Sequence, residues 1–168
     1  AQYLPKSITH KDKKVAQKWV DSTYENLSQD EKLGQLFIIA LYTNKDDAHV
    51  NFVRNLVEKE KIGGLILMQD DAAKEIDLVN EFQKKSKVPM MVGMDAEWGV
   101  FQRIAAAHKF PWAMTLGAIQ DKNLIYEMAT QIAADCKRMG INWDFAPVVD
   151  VNTNPNNPII GNRSFGSE

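Results

Sequence analysis

This 168-residue chain has very little cysteine and no excess of positive charge. Cys136 is the single cysteine, so no disulfide can form within the chain. The formal net charge of −2 gives no basic surface to attract nucleic acid. The longest apolar run, residues 36–41, is far shorter than the roughly 18 residues that a membrane-spanning helix needs. A disulfide framework is therefore excluded, and neither nucleic-acid binding nor a membrane span is predicted.

Several catalytic motifs are also missing. There is no Walker-type phosphate loop, no G-x-G-x-x-G after a strand, and no G-x-S-x-G turn. The three histidines, His10, His49 and His108, lack the spacing of metal ligands. Cys136 falls on the apolar face of a predicted helix, which favours a small core residue over a nucleophile. The sequence therefore predicts no cofactor and no metal.

What is present is an alternation of apolar strands and amphipathic helices. Short apolar runs predict strands at residues 36–41, 65–68, 90–95 and 145–149. Helical spacing and N-terminal capping residues predict helices over 12–25, about 28–35, 46–61, 71–85 and 121–140. Continuous apolar strands such as 36–41 are typical of parallel strands buried on both faces. The segment 96–120 between the third strand and its helix is predicted as a long irregular loop, of the kind that often carries function.

This order requires a parallel sheet with right-handed crossovers and leaves two α/β architectures open. The strands form either a small open sheet or the N-terminal half of a TIM-type (β/α)8 barrel, which needs about 250 residues when complete. In the second case the chain is a truncated half, with residues 1–27 as a lead-in and helix and residues 28–168 as the barrel portion. A half barrel exposes strand edges and apolar faces, so we expect self-association or a partner that supplies the remaining half.

Charged residues follow the third predicted strand at the sheet edge where such folds place their chemistry. Asp95 ends the strand, and Glu97, Trp98 and Arg103 follow within eight residues. A carboxylate accepts from sugar hydroxyls, an arginine offers a planar fork of donors, and an indole stacks on a pyranose. The alternatives are that Asp95 only caps a turn, that Arg103 is a solvated charge and that Trp98 packs in the core. The cluster favours a site for a polyhydroxylated or anionic ligand.

Arg163 adds a second arginine to this edge, in a loop bounded by Gly161 and Gly166 beyond the fourth predicted strand. A lone loop arginine is usually solvent-exposed, but two arginines near one carboxylate favour a binding rim. Asp150 also follows the fourth strand. We predict that its carboxylate fixes the next loop by accepting from backbone amides, rather than acting in catalysis.

Five segments together resemble family-3 glycoside hydrolases, and among them most closely the bacterial β-N-acetylglucosaminidases. The resemblance spans residues 28–166 and is carried by residues 31–37, 62–67, 95–103, 142–151 and 157–166. It implies that Asp95 and Arg103, the ends of a D-x-E-G-G-R-V-Q-R pattern, bind substrate. It gives the same role to Arg163 of a G-[DN]-R-S-F-G pattern. This chain departs from the first pattern at Trp98, Val100 and Phe101, where Gly, Arg and Val are usual.

The resemblance further implies a retaining exo-glycosidase with a covalent glycosyl–aspartate intermediate. The family's nucleophile and acid/base lie later in the chain, beyond Glu168, so no catalytic residue is predicted here. The expected activity of the longer protein is hydrolysis of terminal β-linked N-acetylglucosamine from glycans such as cell-wall fragments. A β-glucosidase or β-xylosidase of the same family, or a non-catalytic sugar-binding module, remains an alternative. The chain begins without Met, which fits either a mature periplasmic or secreted protein or a trimmed chain, so a cytoplasmic location stays open.

Overall fold

The alternation of strands and helices predicted from the sequence is present in the structure, a computed structural model that describes residues 11–69 and 71–167. The four strands are β1 Ile38–Leu41, β2 Gly64–Leu67, β3 Met91–Met94 and β4 Trp143–Asp144. The six α-helices of the described residues are α1 Lys13–Glu25, α2 Gln29–Gly34, α3 Asp47–Asn55, α4 Ala72–Lys85, α5 Ala113–Gly117 and α6 Lys122–Arg138. A π-helical turn, Leu56–Glu60, extends α3. Of the predicted lead-in 1–27, residues 1–10 lie outside the described residues.

All four strands pair in parallel and in chain order, β1-β2-β3-β4. Each strand therefore lies beside the next one along the chain. A doubly wound open sheet reverses its order at a switch point, whereas a TIM-type barrel keeps adding strands on one side. The sheet is thus a four-stranded arc of a TIM-type barrel, and the predicted fold class is confirmed.

Capping side chains determine where the helices begin. Ser28 and Glu31 form a capping box at α2, in which each side chain accepts from the other residue's backbone N–H. Asp71 accepts from the amide of Lys74 at the start of α4, and Asp121 accepts from that of Asn123 at the start of α6. Gly140, with φ of 78°, ends α6 in the left-handed conformation that was predicted for it.

The core lies between the sheet and helices α3 and α4. Phe82 of α4 is fully buried, as are Leu65 and Leu67 of β2 and Val92 of β3. The side chain of Gln83 exchanges two hydrogen bonds with the backbone of Met90, at 2.9 and 3.0 Å, and so ties α4 to the approach to β3. These buried contacts therefore support β3, the strand that Asp95 follows.

Two predicted strands are shorter than expected. The first was predicted over 36–41 with both faces buried, but Leu36 and Phe37 lie in the turn after α2 and are 78% and 57% exposed. β1 is an edge strand, and of its residues only Leu41 is buried. The prediction of a fully buried strand was wrong because the faces of the strand before Leu41 are left partly uncovered: Ile38 is 39% exposed, and Ile39 and Ala40 are half-buried.

The fourth strand was predicted over 145–149 and instead comprises Trp143–Asp144. Its register pairs Gly93 with Trp143 and Met94 with Asp144, so the ladder ends where β3 ends. Beyond it, Pro147 has no N–H to donate to a ladder. The Phe145 amide still donates to the Met94 oxygen at 2.9 Å, but residues 145–149 belong to no strand.

Helices α1 and α6 form as predicted, but their apolar faces are only partly buried. α1 buries none of its side chains. On α6, only Ile132 and Cys136 of the expected inward face are buried, and Leu124 is 54% exposed. The segment 96–120 also differs from an irregular loop, since it contains a 3₁₀ turn, Val100–Gln102, and the helix α5. No helix within the described residues is long and apolar enough to cross a membrane.

Candidate functional site

The candidate site lies at the C-terminal end of β3, just before the turn in which the Gly99 amide donates to the Ala96 oxygen at 2.9 Å. Asp95 follows the strand directly, and its carboxylate accepts from Nη2 of Arg103. The 3₁₀ turn Val100–Gln102 brings Arg103 back over the strand end, and the Arg103 amide donates to the Val100 oxygen at 3.0 Å. The Asp95 side chain is 31% exposed and that of Arg103 only 15%. The carboxylate thus remains reachable from solvent while the arginine behind it is largely enclosed.

Arg163 reaches the same segment from the far end of the chain, through Glu97 rather than through Asp95. Its Nε lies 3.0 and 3.2 Å from the two Glu97 oxygens, and its Nη2 lies 2.9 Å from Oε1. The Glu97 side chain is 8% exposed and that of Arg163 is 35% exposed. The hydrogen bonds with Glu97 raise the pKa of Arg163, and the charges of Asp150 and Asp95 add to this. Two carboxylate–arginine pairs therefore occupy one rim.

The backbone between the two carboxylates is held by side chains on both sides. The Glu97 amide donates to Gln102 Oε1 at 2.8 Å, and Gln102 Nε2 lies 3.4 Å from Glu97 Oε1. The Ala96 amide donates to Asp144 Oδ1 at 3.0 Å, which joins the end of β3 to the end of β4. Gly99 has φ of 85°, a left-handed conformation that favours glycine, and the turn toward Arg103 starts there. The rim is therefore preorganised by the fold.

Asp144 lies in an unusual electrostatic position. It is half-buried, and burial raises the pKa of its carboxyl group, as does the proximity of Asp95 and Glu97. The hydrogen bond from the Ala96 amide acts in the opposite direction and stabilises the ionised form. Asp144 thus supports the rim from below while adding negative charge beneath it.

The loop that carries Arg163 is anchored by Ser164 and Asp150. The buried Ser164 hydroxyl lies 2.7 Å from the Asp150 backbone oxygen, and the Asn152 amide donates to Gly166 O at 2.8 Å. The prediction that the Asp150 carboxylate accepts from loop amides was wrong: among the described residues no amide donates to it. Asp150 is exposed at a point where its backbone oxygen, rather than its side chain, reaches the loop.

Trp98 packs against Trp112, with ring centroids 4.1 Å apart and planes tilted by 43°. Both indoles are half-buried. The Trp98 carbonyl also accepts from the Phe110 amide at 3.2 Å. This arrangement supports the packing interpretation of Trp98 and shows that it fixes the segment leading to α5.

No group of three or more His, Cys, Asp or Glu side chains with metal-binding geometry occurs in residues 11–69 and 71–167. His49 Nε2 accepts from the Tyr42 amide at 3.1 Å, and burial lowers the pKa of its imidazole. Burial raises the pKa of the Cys136 thiol to about 12, so the thiol stays protonated near neutral pH. The chemistry of the site therefore rests on the carboxylates and arginines of the rim.

An apolar groove of about 460 Å³ adjoins the rim between α6 and β4. Ile125, Met128 and Ile132 of α6 form one wall, and Trp143 and Pro147 form part of the other. Glu97 and Asp144 border the same groove. This groove explains why the predicted inward face of α6 is only partly buried.

The chain belongs to glycoside hydrolase family 3: residues 28–168 match the glycosyl hydrolase family 3 N terminal domain. It is 33% identical over 150 residues to a β-N-acetylglucosaminidase/β-glucosidase of Cellulomonas fimi, covering 89% of this chain. It is 30% identical over 146 residues to the β-hexosaminidase LpqI of Mycobacterium tuberculosis, covering 84% of this chain. The predicted family membership is thereby confirmed.

Solved structures show the same fold. The structure of Mycobacterium tuberculosis LpqI superposes with a TM-score of 0.72 at 28% identity, covering 86% of this chain and 42% of that one. A β-glucoside phosphorylase BglX bound to 2FGlc gives a TM-score of 0.77 at 26% identity, covering 90% of this chain and 27% of that one. The chain spans 26% of the length of the Cellulomonas fimi relative and 36% of LpqI.

The three residues predicted to bind substrate lie at one rim in the structure, and their role in binding stays a prediction. Asp95 and Arg103 contact each other, whereas Arg163 joins them through Glu97. Glu97 was predicted as a member of the charged cluster after the third strand, but its bond to Arg163 was not foreseen. A sequence signal does exist: Asp95 and Glu97 are two positions apart after a strand, which places both side chains on one side of extended backbone.

Proposed function

We propose that this chain forms the sugar-binding first half of a barrel in a longer retaining exo-β-N-acetylglucosaminidase, which removes terminal N-acetylglucosamine from glycans such as cell-wall fragments. The observation that carries the proposal is the rim at the end of β3, with its partly exposed Asp95 beside Arg103 and Arg163. Asp95 would accept from two sugar hydroxyls, and the outward donors of the arginines would bind sugar oxygens. The names of the two relatives described above support an amino-sugar substrate.

The nucleophile and the acid/base would be supplied by chain outside these 168 residues. A retaining mechanism needs two carboxyl groups, one that attacks the anomeric carbon and one that protonates the leaving oxygen. At this rim Asp95 and Glu97 are each engaged by an arginine, which suits binding and positioning. The apolar groove between α6 and β4 would receive the next part of the barrel, the remaining half that we predict as a partner.

A β-glucosidase or β-xylosidase is the second candidate, because the name of the Cellulomonas fimi relative includes both β-N-acetylglucosaminidase and β-glucosidase. Asp95 and Arg163 would serve these sugars equally well. A non-catalytic sugar-binding module is the third candidate. Secretion or a periplasmic location stays a prediction, which fractionation of the producing cells would test.

The test compares the 168-residue chain with the longer protein on aryl N-acetyl-β-glucosaminide, aryl β-glucoside and aryl β-xyloside. We expect the longer protein to prefer the N-acetylglucosaminide and the isolated chain to show no hydrolysis. Preference for another glycoside would select the second candidate. Hydrolysis by the highly purified isolated chain would mean that the catalytic groups lie within it and that the assignment of roles is wrong.

A further inference from the structure

Glu97 is a buried carboxylate whose hydrogen bonds go mainly to one arginine far along the chain. Its side chain is 8% exposed, and it receives three hydrogen-bonding contacts from Nε and Nη2 of Arg163, between 2.9 and 3.2 Å. A buried carboxylate is costly unless it is paired and hydrogen-bonded in this way. Glu97 is therefore committed to Arg163 and has little surface left for a ligand.

The pairing fixes the direction of the whole guanidinium group. The group is planar, so holding its Nε–Nη2 edge sets where the remaining donors point. Nη1 lies 3.4 Å from the Ile159 oxygen, and 35% of the Arg163 side chain remains exposed at the rim. An arginine in a loop without such a partner would sample several rotamers, and binding would then have to freeze them.

Glu97 is itself held in place, which makes it a rigid support. Its amide is bonded to Gln102, and the preceding amide, that of Ala96, is bonded to Asp144 on β4. The Glu97 carboxylate is therefore carried by backbone that directly follows β3 and is hydrogen-bonded to β4. The chain from β4 onward contributes Arg163, and the end of β3 determines how Arg163 is oriented.

We propose that Glu97 is a positioning residue for substrate binding, which aims the Arg163 guanidinium at the sugar without contacting the sugar itself. This inference rests on the proposed function, because it assumes that Arg163 binds substrate. A positioning role predicts a different effect of mutation from a purely structural role. Loss of Glu97 should impair binding only through Arg163, and the two residues should therefore act as one unit.

A double-mutant cycle in the longer enzyme, assayed on aryl N-acetyl-β-glucosaminide and aryl β-glucoside, tests this unit. We expect Arg163→Ala to lower kcat/KM by about 10- to 150-fold, as for a lost hydrogen bond to a charged group. Glu97→Gln, which is isosteric, should lower it by about 10- to 100-fold, as for a misplaced binding group, mainly through KM. The double variant should be no worse than Arg163→Ala alone. A fully additive loss would overturn the inference.

Glu81→Gln is the matched control. Glu81 binds Arg54 with the same two-point geometry, through Nε at 2.6 Å and Nη2 at 3.1 Å, but on the helices away from the rim. It should leave KM unchanged. If Glu81→Gln raises KM as much as Glu97→Gln, the loss reflects general stability and the inference fails.

Nuclear magnetic resonance of the 168-residue chain provides a readout that does not depend on activity. The Nε–H signal of Arg163 should exchange slowly with water in the parent and rapidly in Glu97→Gln, while that of Arg54 stays unchanged in both. An Arg163 signal unaffected by Glu97→Gln would overturn the inference. If Arg163→Ala hydrolyses both substrates at the parental rate, the binding role of Arg163 fails and the inference fails with it. If Arg163→Ala is impaired and Glu97→Gln is not, only the inference fails.

Discussion

At the scale of single residues, Asp144 shows how the rim is supported at an electrostatic cost. Its carboxylate accepts from the Ala96 amide, yet it lies half-buried near two other carboxylates. Burial raises the pKa of its carboxyl group, so the ionised form is less favourable in the folded chain than in the unfolded chain. At a pH below the unfolded pKa of Asp144, its contribution to the stability of the folded chain is fully present. This contribution is lost as the pH rises through the folded pKa.

Asp144→Asn should remove this pH dependence while keeping an oxygen that accepts from the Ala96 amide. We expect the stability of the variant relative to the parent to improve between pH 4 and pH 7, because the parent loses the Asp144 contribution over this range. Urea unfolding at both pH values measures the change. If the variant instead becomes less stable than the parent as the pH rises, then ionised Asp144 stabilises the fold. The sign assigned to its contribution to stability would then be wrong.

The sequence placed Asp95 and Arg103 at one rim because both follow a single strand within eight residues. It did not disclose the pairing of Glu97 with Arg163. That contact joins residues separated by 66 positions, and it depends on β4 lying beside β3. Local patterns identify which residues follow a strand, but not which partner each one meets across the sheet.

At the scale of elements, five of the six helices described were predicted from the sequence, whereas helix α5 and the bounds of two strands were not. Helix starts depend on capping side chains within a few residues, such as Ser28 and Asp121, so local sequence determines them. Strand ends depend on the neighbouring strand. β1 is shorter than its apolar run because Leu36 and Phe37 lie in the turn after α2, and β4 lies before its predicted run because its ladder stops with β3.

Gly117 allows helix α5 to pack closely against the loop that carries Arg163. A Cβ at Gly117 would lie 1.8 Å from the Phe165 backbone oxygen, so Gly117→Ala must displace that loop. We expect the variant to lose stability and, in the longer enzyme, to raise the KM for the sugar substrate. Gly34→Ala is the control, because its Cβ would lie 1.9 Å from the Glu60 oxygen, far along the chain from the rim. If both variants raise KM equally, the loop is not specifically involved.

Helices α3 and α4 are joined by an ion pair whose loss should appear at acid pH. Bonding to Arg54, opposed in part by burial, lowers the pKa of Glu81 from 4.5 to about 2. A carboxylate whose pKa is lowered by folding contributes stability at a pH above its unfolded pKa. That stability is lost as the pH falls from 4.5 toward 2. Because the pair is partly exposed, we expect a loss on the order of 1 kcal/mol. In Glu81→Gln this part of the acid-induced loss should be absent from melting curves, and an unchanged acid profile would contradict the assignment.

At the scale of the whole molecule, the chain presents several large apolar side chains to solvent. Leu36 and Val149 are 78% and 86% exposed, and the groove beside α6 is lined by apolar side chains. Surfaces of this kind mark interaction sites or lead to aggregation. The structure therefore gives a physical reason for the predicted need for a partner.

We expect the isolated 168-residue chain to self-associate, and sedimentation over a range of concentrations measures this directly. Met128→Glu places a charge in the groove and should shift the distribution toward monomer, because burying the new carboxylate opposes association. Thr130→Glu is the control, on the exposed part of the same helix. A chain that stays monomeric and unfolds cooperatively with ordinary stability would contradict the prediction.

The central claim is that Asp95 and Arg163 bind the terminal sugar. The most direct test is kcat/KM of Asp95→Ala and Arg163→Ala in the longer enzyme, with a melting curve for each. Loss of a hydrogen bond to a charged group costs about 1.5–3 kcal/mol, which predicts a fall of about 10- to 150-fold. Asp95→Ala should also lower the melting temperature, since it leaves Arg103 without its partner. Variants that fold normally and hydrolyse substrate with parental kcat/KM would show that Asp95 only ends a strand and Arg163 only pairs with Glu97.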